Sequence, residues 1–187
     1  MMVRVHAFEP GSRANGPGRR AVVWFQGCTL ACPGCFNPAT HDPAGGHDVD
    51  TAALAADILA LRPSVEGMTI SGGEPFQQPD ALLELLVCLN GSALGRLVFT
   101  GYTLDEVLAL PLGQSILAKV DALVAGRYVT ALRLARGLLG SANQTIHLLS
   151  GRYGVSDFAS VPGREAVIHR NGSITLSGID PWLKGAQ

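Results

Sequence analysis

Four short apolar runs, each ending in a loop of unusual residues and each followed by a stretch of different period, constrain this chain more than any other feature. RAVVWFQ from Arg20 runs into GCTLACPGCFNP, MTIS from Met68 into GGEP, RLVFT from Arg96 into GYT, and DALVAGR from Asp121 into a further loop. Between them, DVDTAALAADILALRP reads as a helix with Asp50 near its start and Pro63 beyond its end. PDALLELLVCL places Pro79 at a first helical position, and TLDEVLAL offers a capping box of Thr103 and Glu106, so each helix carries its own start signal. Strands alternating with helices predict βα units and a mainly parallel sheet. In such sheets the loops and helix amino termini converge at the carboxyl ends of the strands, and ligands collect there. The tail differs: EAVIHRNGSITLSG is two alternating runs around Asn171-Gly172, which predicts a β-hairpin.

With 187 residues, 47% of them hydrophobic, and a positive mean hydropathy, the chain suits one substantial core and is no candidate for disorder. Its 14 basic and 15 acidic residues nearly cancel, which removes the electrostatic case for a nucleic-acid partner. MMVRVHAFEP lacks the apolar run of a signal peptide, and no apolar stretch approaches the ~20 residues of a membrane span. A cytoplasmic protein without a membrane partner is the expectation, and in that compartment clustered cysteines more often mean metal or thiol chemistry than disulfides.

Three of the four cysteines, Cys28, Cys32 and Cys35, lie within eight positions as C-x3-C-x2-C. Four thiolates would close a structural site, whereas three leave a position open for chemistry. The residues alone also allow a redox dithiol at Cys32 and Cys35, or zinc held by the trio with His41 or His47. Cys88 stands apart in DALLELLVCLN, at helical spacing from Leu82, Leu85 and Leu86, and is expected in the core as a small hydrophobe. His6, His147 and His169 have no partner visible in sequence and are expected to be structural or superficial. SGGEP, Ser71 to Pro75, follows the cysteines by one βα unit. Its glycines permit close backbone approach, and its exposed carbonyls can accept hydrogen bonds from an ammonium group.

Together these stretches resemble the radical S-adenosylmethionine superfamily. Within it, NGPGRRAVVWFQGCTLACPGCFNP, SGGEP, FTGY (Phe99 to Tyr102) and GSANQ (Gly140 to Gln144) are most similar to the activating proteins of anaerobic ribonucleotide reductases, over most of residues 1–149. The position before the third cysteine, often aromatic in the superfamily, is Gly34 here, as in that branch. The resemblance implies a partial (βα) barrel with a C-terminal β-hairpin, forming one radical S-adenosylmethionine domain over 1–187 with a core of about 1–149 and an extension of about 150–187. It implies a [4Fe-4S] cluster on Cys28, Cys32 and Cys35, with S-adenosylmethionine on the fourth iron. Gly72, Gly73 and Glu74 would belong to the loop holding the methionine amino group. The backbone around Gly34 and Phe36 would approach the adenine, and Asn15 to Gly18 would shape the cluster-side entrance unless they are an ordinary turn.

No protein acid or base is required by such chemistry, which the cofactors perform. The implied reaction is reductive cleavage to a 5′-deoxyadenosyl radical, fed by a flavodoxin or ferredoxin and spent on a glycine of a glycyl radical enzyme, here anaerobic ribonucleotide reductase. The rivals are a small radical enzyme acting on a nucleobase precursor or peptide and, from another class, a zinc or dithiol module.

Overall fold

The computed structural model describes residues 1–179. The chain opens with β1 (Met2–Ser12) and β2 (Arg20–Phe25), then β3 (His47–Asp50), α1 (Thr51–Ala60), β4 (Gly67–Gly72), α2 (Pro79–Cys88) and β5 (Gly95–Thr100). It continues through α3 (Leu104–Ala109), α4 (Gly113–Leu117), β6 (Ala122–Ala125), β7 (Arg133–Arg136), β8 (Leu139–Ser141), β9 (Thr145–Leu148) and α5 (Val155–Ala159) to β10 (Arg164–Ile168) and β11 (Ile174–Gly178).

Seven of these strands form one sheet in the order β3-β1-β2-β4-β5-β6-β9. Strands β2, β4, β5 and β6 are parallel neighbours in chain order, as the βα alternation predicts. The sheet is mixed because β1 and β3 extend it antiparallel on one side and β9 on the other. The helix starts are also as read. Asp50 accepts from the backbone N–H groups of Ala52 and Ala53 at 3.0 Å each, and Thr103 and Glu106 cap α3 reciprocally at 2.8 and 3.2 Å.

Alternation sorts each central strand onto two faces. Ala21, Val23, Phe25, Met68, Ile70, Val98 and Leu123 point to the helices and pack against Leu54, Ile58, Leu82, Leu85, Leu86 and Ile116. On the opposite face Leu97, Ala122 and Val124 pack beneath Leu138, Phe158 and Val161. Fully buried Arg20 shares that face. Its guanidinium donates to Thr69 Oγ1, Tyr153 Oη and the carbonyls of Pro17, Met68 and Gly95 at 2.5–3.0 Å.

The expectation for Cys88 is overturned: it is exposed. The buried stripe of α2 and its end is Leu82, Leu85, Leu86 and Leu89, the i, i+3, i+4, i+7 set of one helix face. Cys88 falls two positions after Leu86 and turns to solvent.

Strands β10 and β11 form the expected hairpin, closed by a loop in which His169 and Ser173 still bond at 2.9 Å and Gly172 alone takes a positive φ, +84°. Its polarity is inverted. Ile168, Ile174 and Leu176 are 76%, 61% and 52% exposed, while Glu165 and Ser177 turn inward to the segment after β1. Glu165 Oε2 accepts from Ser12 Oγ at 2.7 Å and from the N–H groups of Arg13 and Ala14 at 2.8 and 3.3 Å. Asn15 Nδ2 donates to Ser177 Oγ at 2.5 Å.

Candidate functional site

The carboxyl end of β2 releases the cysteine segment, and backbone bonds bring it straight back. Gly27 N–H donates to Thr40 O at 2.8 Å and Cys28 N–H to His41 O at 3.0 Å, so residues 28–41 form an excursion fastened at its base. Positive φ at Gly27, Ala31 and Gly34 (+98°, +48° and +73°) winds it, and Cys35 N–H donates to Cys32 O at 3.1 Å. Cys28, Cys32 and Cys35 all line one pocket of about 110 Å3. Burial pushes the Cys28 thiol up, opposed by a backbone N–H at Leu30 and reinforced by the nearby charges of Glu74, Cys32 and Cys35. Burial likewise raises Cys35, opposed by the Asn37 N–H at 3.4 Å from its sulfur.

Among the described residues, no three His, Cys, Asp or Glu side chains converge on a single-ion site. One tetrahedral zinc needs all its donors about 2–2.3 Å from a common point.

The glycine loop after β4 is zipped to the base of the cysteine excursion. Gly73 N–H donates to Phe25 O at 2.8 Å and Glu74 N–H to Gly27 O at 2.9 Å. A Cβ on Gly72 would lie 2.4 Å from Phe25 N and O, and one on Gly73 2.2 Å from Gly27 O. The absence of side chains there is therefore required first by the protein's own backbone. Glu74 is 1% exposed and ties this loop to the next. Its Oε1 accepts from Phe76 N–H at 3.0 Å and Thr100 Oγ1 at 2.8 Å, and its Oε2 from Gly101 N–H at 2.7 Å. Burial outweighs these bonds and raises its pKa to about 7.

Of the residues singled out in sequence, Cys28, Cys32, Cys35, Phe36, Gly72, Gly73 and Glu74 line this pocket. Gly34 does not. Its Cα faces Thr130, whose Oγ1 a Cβ would meet at 2.4 Å. None of Asn15 to Gly18 lines this pocket, although Asn15 lines a neighbouring chamber together with Phe36 and Asn37. A Cβ on Gly18 would meet Glu66, and one on Gly16 would meet Arg20. The lining also includes His41, named in sequence as a possible zinc ligand, and Leu30, Asn37, Ser71, Phe99, Thr100, Gly101, Gly126, Tyr128 and Gln144, which were not singled out individually. Besides Thr100 and Gly101, which hold Glu74, Tyr128 stacks edge-on against Phe36 at 5.3 Å, and Gln144 holds Gly126 O through its Nε2 at 2.8 Å. Their signals in sequence were the loop position after DALVAGR and the stretch GSANQ.

Three thiols, a backbone-zipped glycine loop and strand-end loops around one pocket define an iron–sulfur class of α/β protein, and residues 14–147 match the family described as 4Fe-4S single cluster domain. The chain is 32% identical over 155 residues to the anaerobic ribonucleoside-triphosphate reductase-activating protein of Salmonella typhi, covering 79% of this chain and 99% of that one. It is 31% identical over 152 residues to the protein of the same description from Escherichia coli (strain K12), covering 77% and 97%. A shorter match, 40% over 90 residues, reaches the pyruvate formate-lyase-activating enzyme of Clostridium pasteurianum, covering 46% of this chain and 38% of that enzyme. The chain belongs to the family of the anaerobic ribonucleoside-triphosphate reductase-activating proteins. That membership leaves the zinc and dithiol readings unfavoured. Among the described residues no helix is long and apolar enough to cross a membrane.

Proposed function

We propose that this chain is a radical S-adenosylmethionine enzyme that installs a glycyl radical on anaerobic ribonucleotide reductase. The observation that carries the reading is the convergence of Cys28, Cys32 and Cys35 with Ser71–Glu74 on one pocket at the strand ends. Three thiols suit a single [4Fe-4S] cluster with one iron left for a cosubstrate, and the glycine loop offers backbone carbonyls without side chains in the way. When bound, the reduced cluster would supply one electron and S-adenosylmethionine a sulfonium whose carbon–sulfur cleavage would leave methionine and the 5′-deoxyadenosyl radical needed to take hydrogen from a glycine Cα of the partner.

The chain's own residues do the rest. Cys28, Cys32 and Cys35 hold the cluster. Gly72 and Gly73 orient the methionine amino group, and Glu74 braces their loop against Thr100 and Gly101. Phe36, backed by Tyr128, and the backbone near Gly34 flank the adenine side while excluding water. Cys28 also lines an outer cleft of about 370 Å3 with Arg4, Thr29 and Gln77, which brings the surface near a thiol and supports delivery of the electron there by a flavodoxin or ferredoxin. The parallel order β2-β4-β5-β6, with the pocket at its carboxyl edge, supports the partial barrel of radical S-adenosylmethionine type. We read residues 1–187 as one such domain working in the cytoplasm, its core about 1–149 and its extension about 150–187.

The test is anaerobic incubation of the reconstituted, reduced chain with S-adenosylmethionine and the reductase of the same organism. A glycyl doublet should appear in the paramagnetic resonance spectrum alongside 5′-deoxyadenosine, and vanish when the reductase glycine is replaced by alanine. Cleavage of S-adenosylmethionine with no doublet on the reductase would overturn the assignment of the partner.

A further inference from the structure

Beside the thiol pocket lies a second chamber of about 330 Å3. The two share Phe36, Asn37, Ser71 and Phe99, so they adjoin across those four residues. The far wall of the chamber is Thr175–Ile179, from β11 and the residue after it, and Asn15 and Trp24 form its floor. Its lining holds no Asp, Glu, Lys or Arg, and its one histidine, His6, has Nδ1 at 2.9 Å from Gln26 Oε1. A phosphate- or carboxylate-bearing metabolite would meet no permanent counter-charge to offset its desolvation. A stretch of polypeptide backbone carries only amide donors and acceptors. The side chains of Asn37, Ser71 and Ser177 are of the kind that match them, and Trp24, Phe36 and Phe99 supply apolar walls.

The hairpin that closes this chamber is built as a wall rather than as core. Its apolar residues Ile168, Ile174 and Leu176 face out. It is held by discrete polar latches: Glu165 on Ser12 to Ala14, Ser177 on Asn15, and His169 Nε2 at 3.4 Å from Glu9 Oε2. It also lies outside residues 14–147 that match the iron–sulfur domain, so the wall is added to the shared scaffold. We infer that the C-terminal hairpin forms the recognition wall for the acceptor, which enters this uncharged chamber as an extended, neutral backbone segment and reaches the thiol pocket past Phe36 and Phe99. The inference rests on the function proposed above and names the part of the chain that receives the partner.

Two measurements test it on the whole reconstituted chain. Thr175→Phe narrows the chamber from the hairpin side. The ratio of glycyl radical formed to 5′-deoxyadenosine released should fall by about 100-fold, the scale on which a misplacement of about 1 Å costs rate. Ile168→Thr, on the outer face, should leave that ratio unchanged. Photo-leucine at Ile179, which lines the chamber and is 8% exposed, should cross-link to the reductase peptide that carries the acceptor glycine. An unchanged ratio in Thr175→Phe, equal losses in both variants, or cross-links confined to other reductase segments would overturn the inference. A chain that cleaves S-adenosylmethionine and cross-links at that glycine peptide, yet raises no glycyl signal, would sink the proposed reaction and leave the docking wall standing.

Discussion

Replacing Gly73 by alanine tests the contact on which the candidate site depends. The new Cβ would lie 2.2 Å from Gly27 O, 2.8 Å from Gly27 C and 3.0 Å from Thr40 O. All three are backbone atoms, so no side chain can swing away. Restoring an ordinary carbon contact of roughly 3.5 Å requires the two loops to part by about 1 Å. That movement strains the bonds from Gly73 to Phe25 and from Glu74 to Gly27. Overpacking costs about 1–3 kcal/mol and each of the two weakened hydrogen bonds about 1 kcal/mol, which places the loss of stability at about 3–5 kcal/mol. Cys28 follows Gly27 directly, so the same displacement reaches a thiol. Urea unfolding of the iron-free chain should show the loss, and 5′-deoxyadenosine formation by the reconstituted variant should fall by about 100-fold. Gly151→Ala, where a Cβ meets nothing within 4 Å, is the control and should be neutral. Wild-type stability together with wild-type cleavage in Gly73→Ala would refute the reasoning.

Single alanine replacements of Cys28, Cys32 and Cys35 should each abolish iron and acid-labile sulfide retention. Cys88→Ala should retain both and change stability by less than about 0.5 kcal/mol, as expected at an exposed position; full iron loading in Cys35→Ala would remove it from the ligand set. Glu74 titrates with its folded pKa raised from 4.5 to about 7, so the folded chain binds its proton more tightly than the unfolded chain. Its stabilising contribution is complete below pH 4.5 and is lost as pH rises through about 7, a change of about 3 kcal/mol. The stability difference between the iron-free chain and its Glu74→Gln variant should shift by that amount across the window, and a flat difference would show that the carboxyl does not titrate there.

What could be read from the sequence was whatever one segment determines by itself. The runs from Arg20, Met68, Arg96 and Asp121 carry their strand character locally, and Asp50, Pro79 and the Thr103/Glu106 pair carry their caps. The cysteine and glycine loops were legible for the same reason, each following a strand at the edge where ligands gather. Strand β1 was not, because its alternation breaks at register shifts between Val5 and Ala7 and between Glu9 and Ser12. Strands β3 and β9 have only four residues each and owe their place to a neighbour's free edge. Tyr128, Gly126 and Gln144 come to the pocket through sheet order, which no single segment encodes. Gly73 was legible as a glycine that permits close approach, but the backbone it approaches first is that of Gly27, a partner set by strand register. Cys88 failed in another way: three leucines define a stripe, and a small apolar residue nearby need not belong to it.

The latch between Glu165 and Ser12 to Ala14 joins residues more than 150 positions apart, and so ties a segment made early to one made much later. The amino-terminal part leaves the ribosome first, and β2, β4, β5 and β6 can each add beside a strand already made. The thiol pocket therefore has its residues in hand once Gln144 has emerged. The hydroxyl and amide donors of Ser12, Arg13 and Ala14 must be solvated by water until Glu165 arrives. A nascent chain thus owns its iron ligands well before it owns the wall of the neighbouring chamber, and the meeting of the first loop with the last hairpin marks the moment at which that chamber is enclosed.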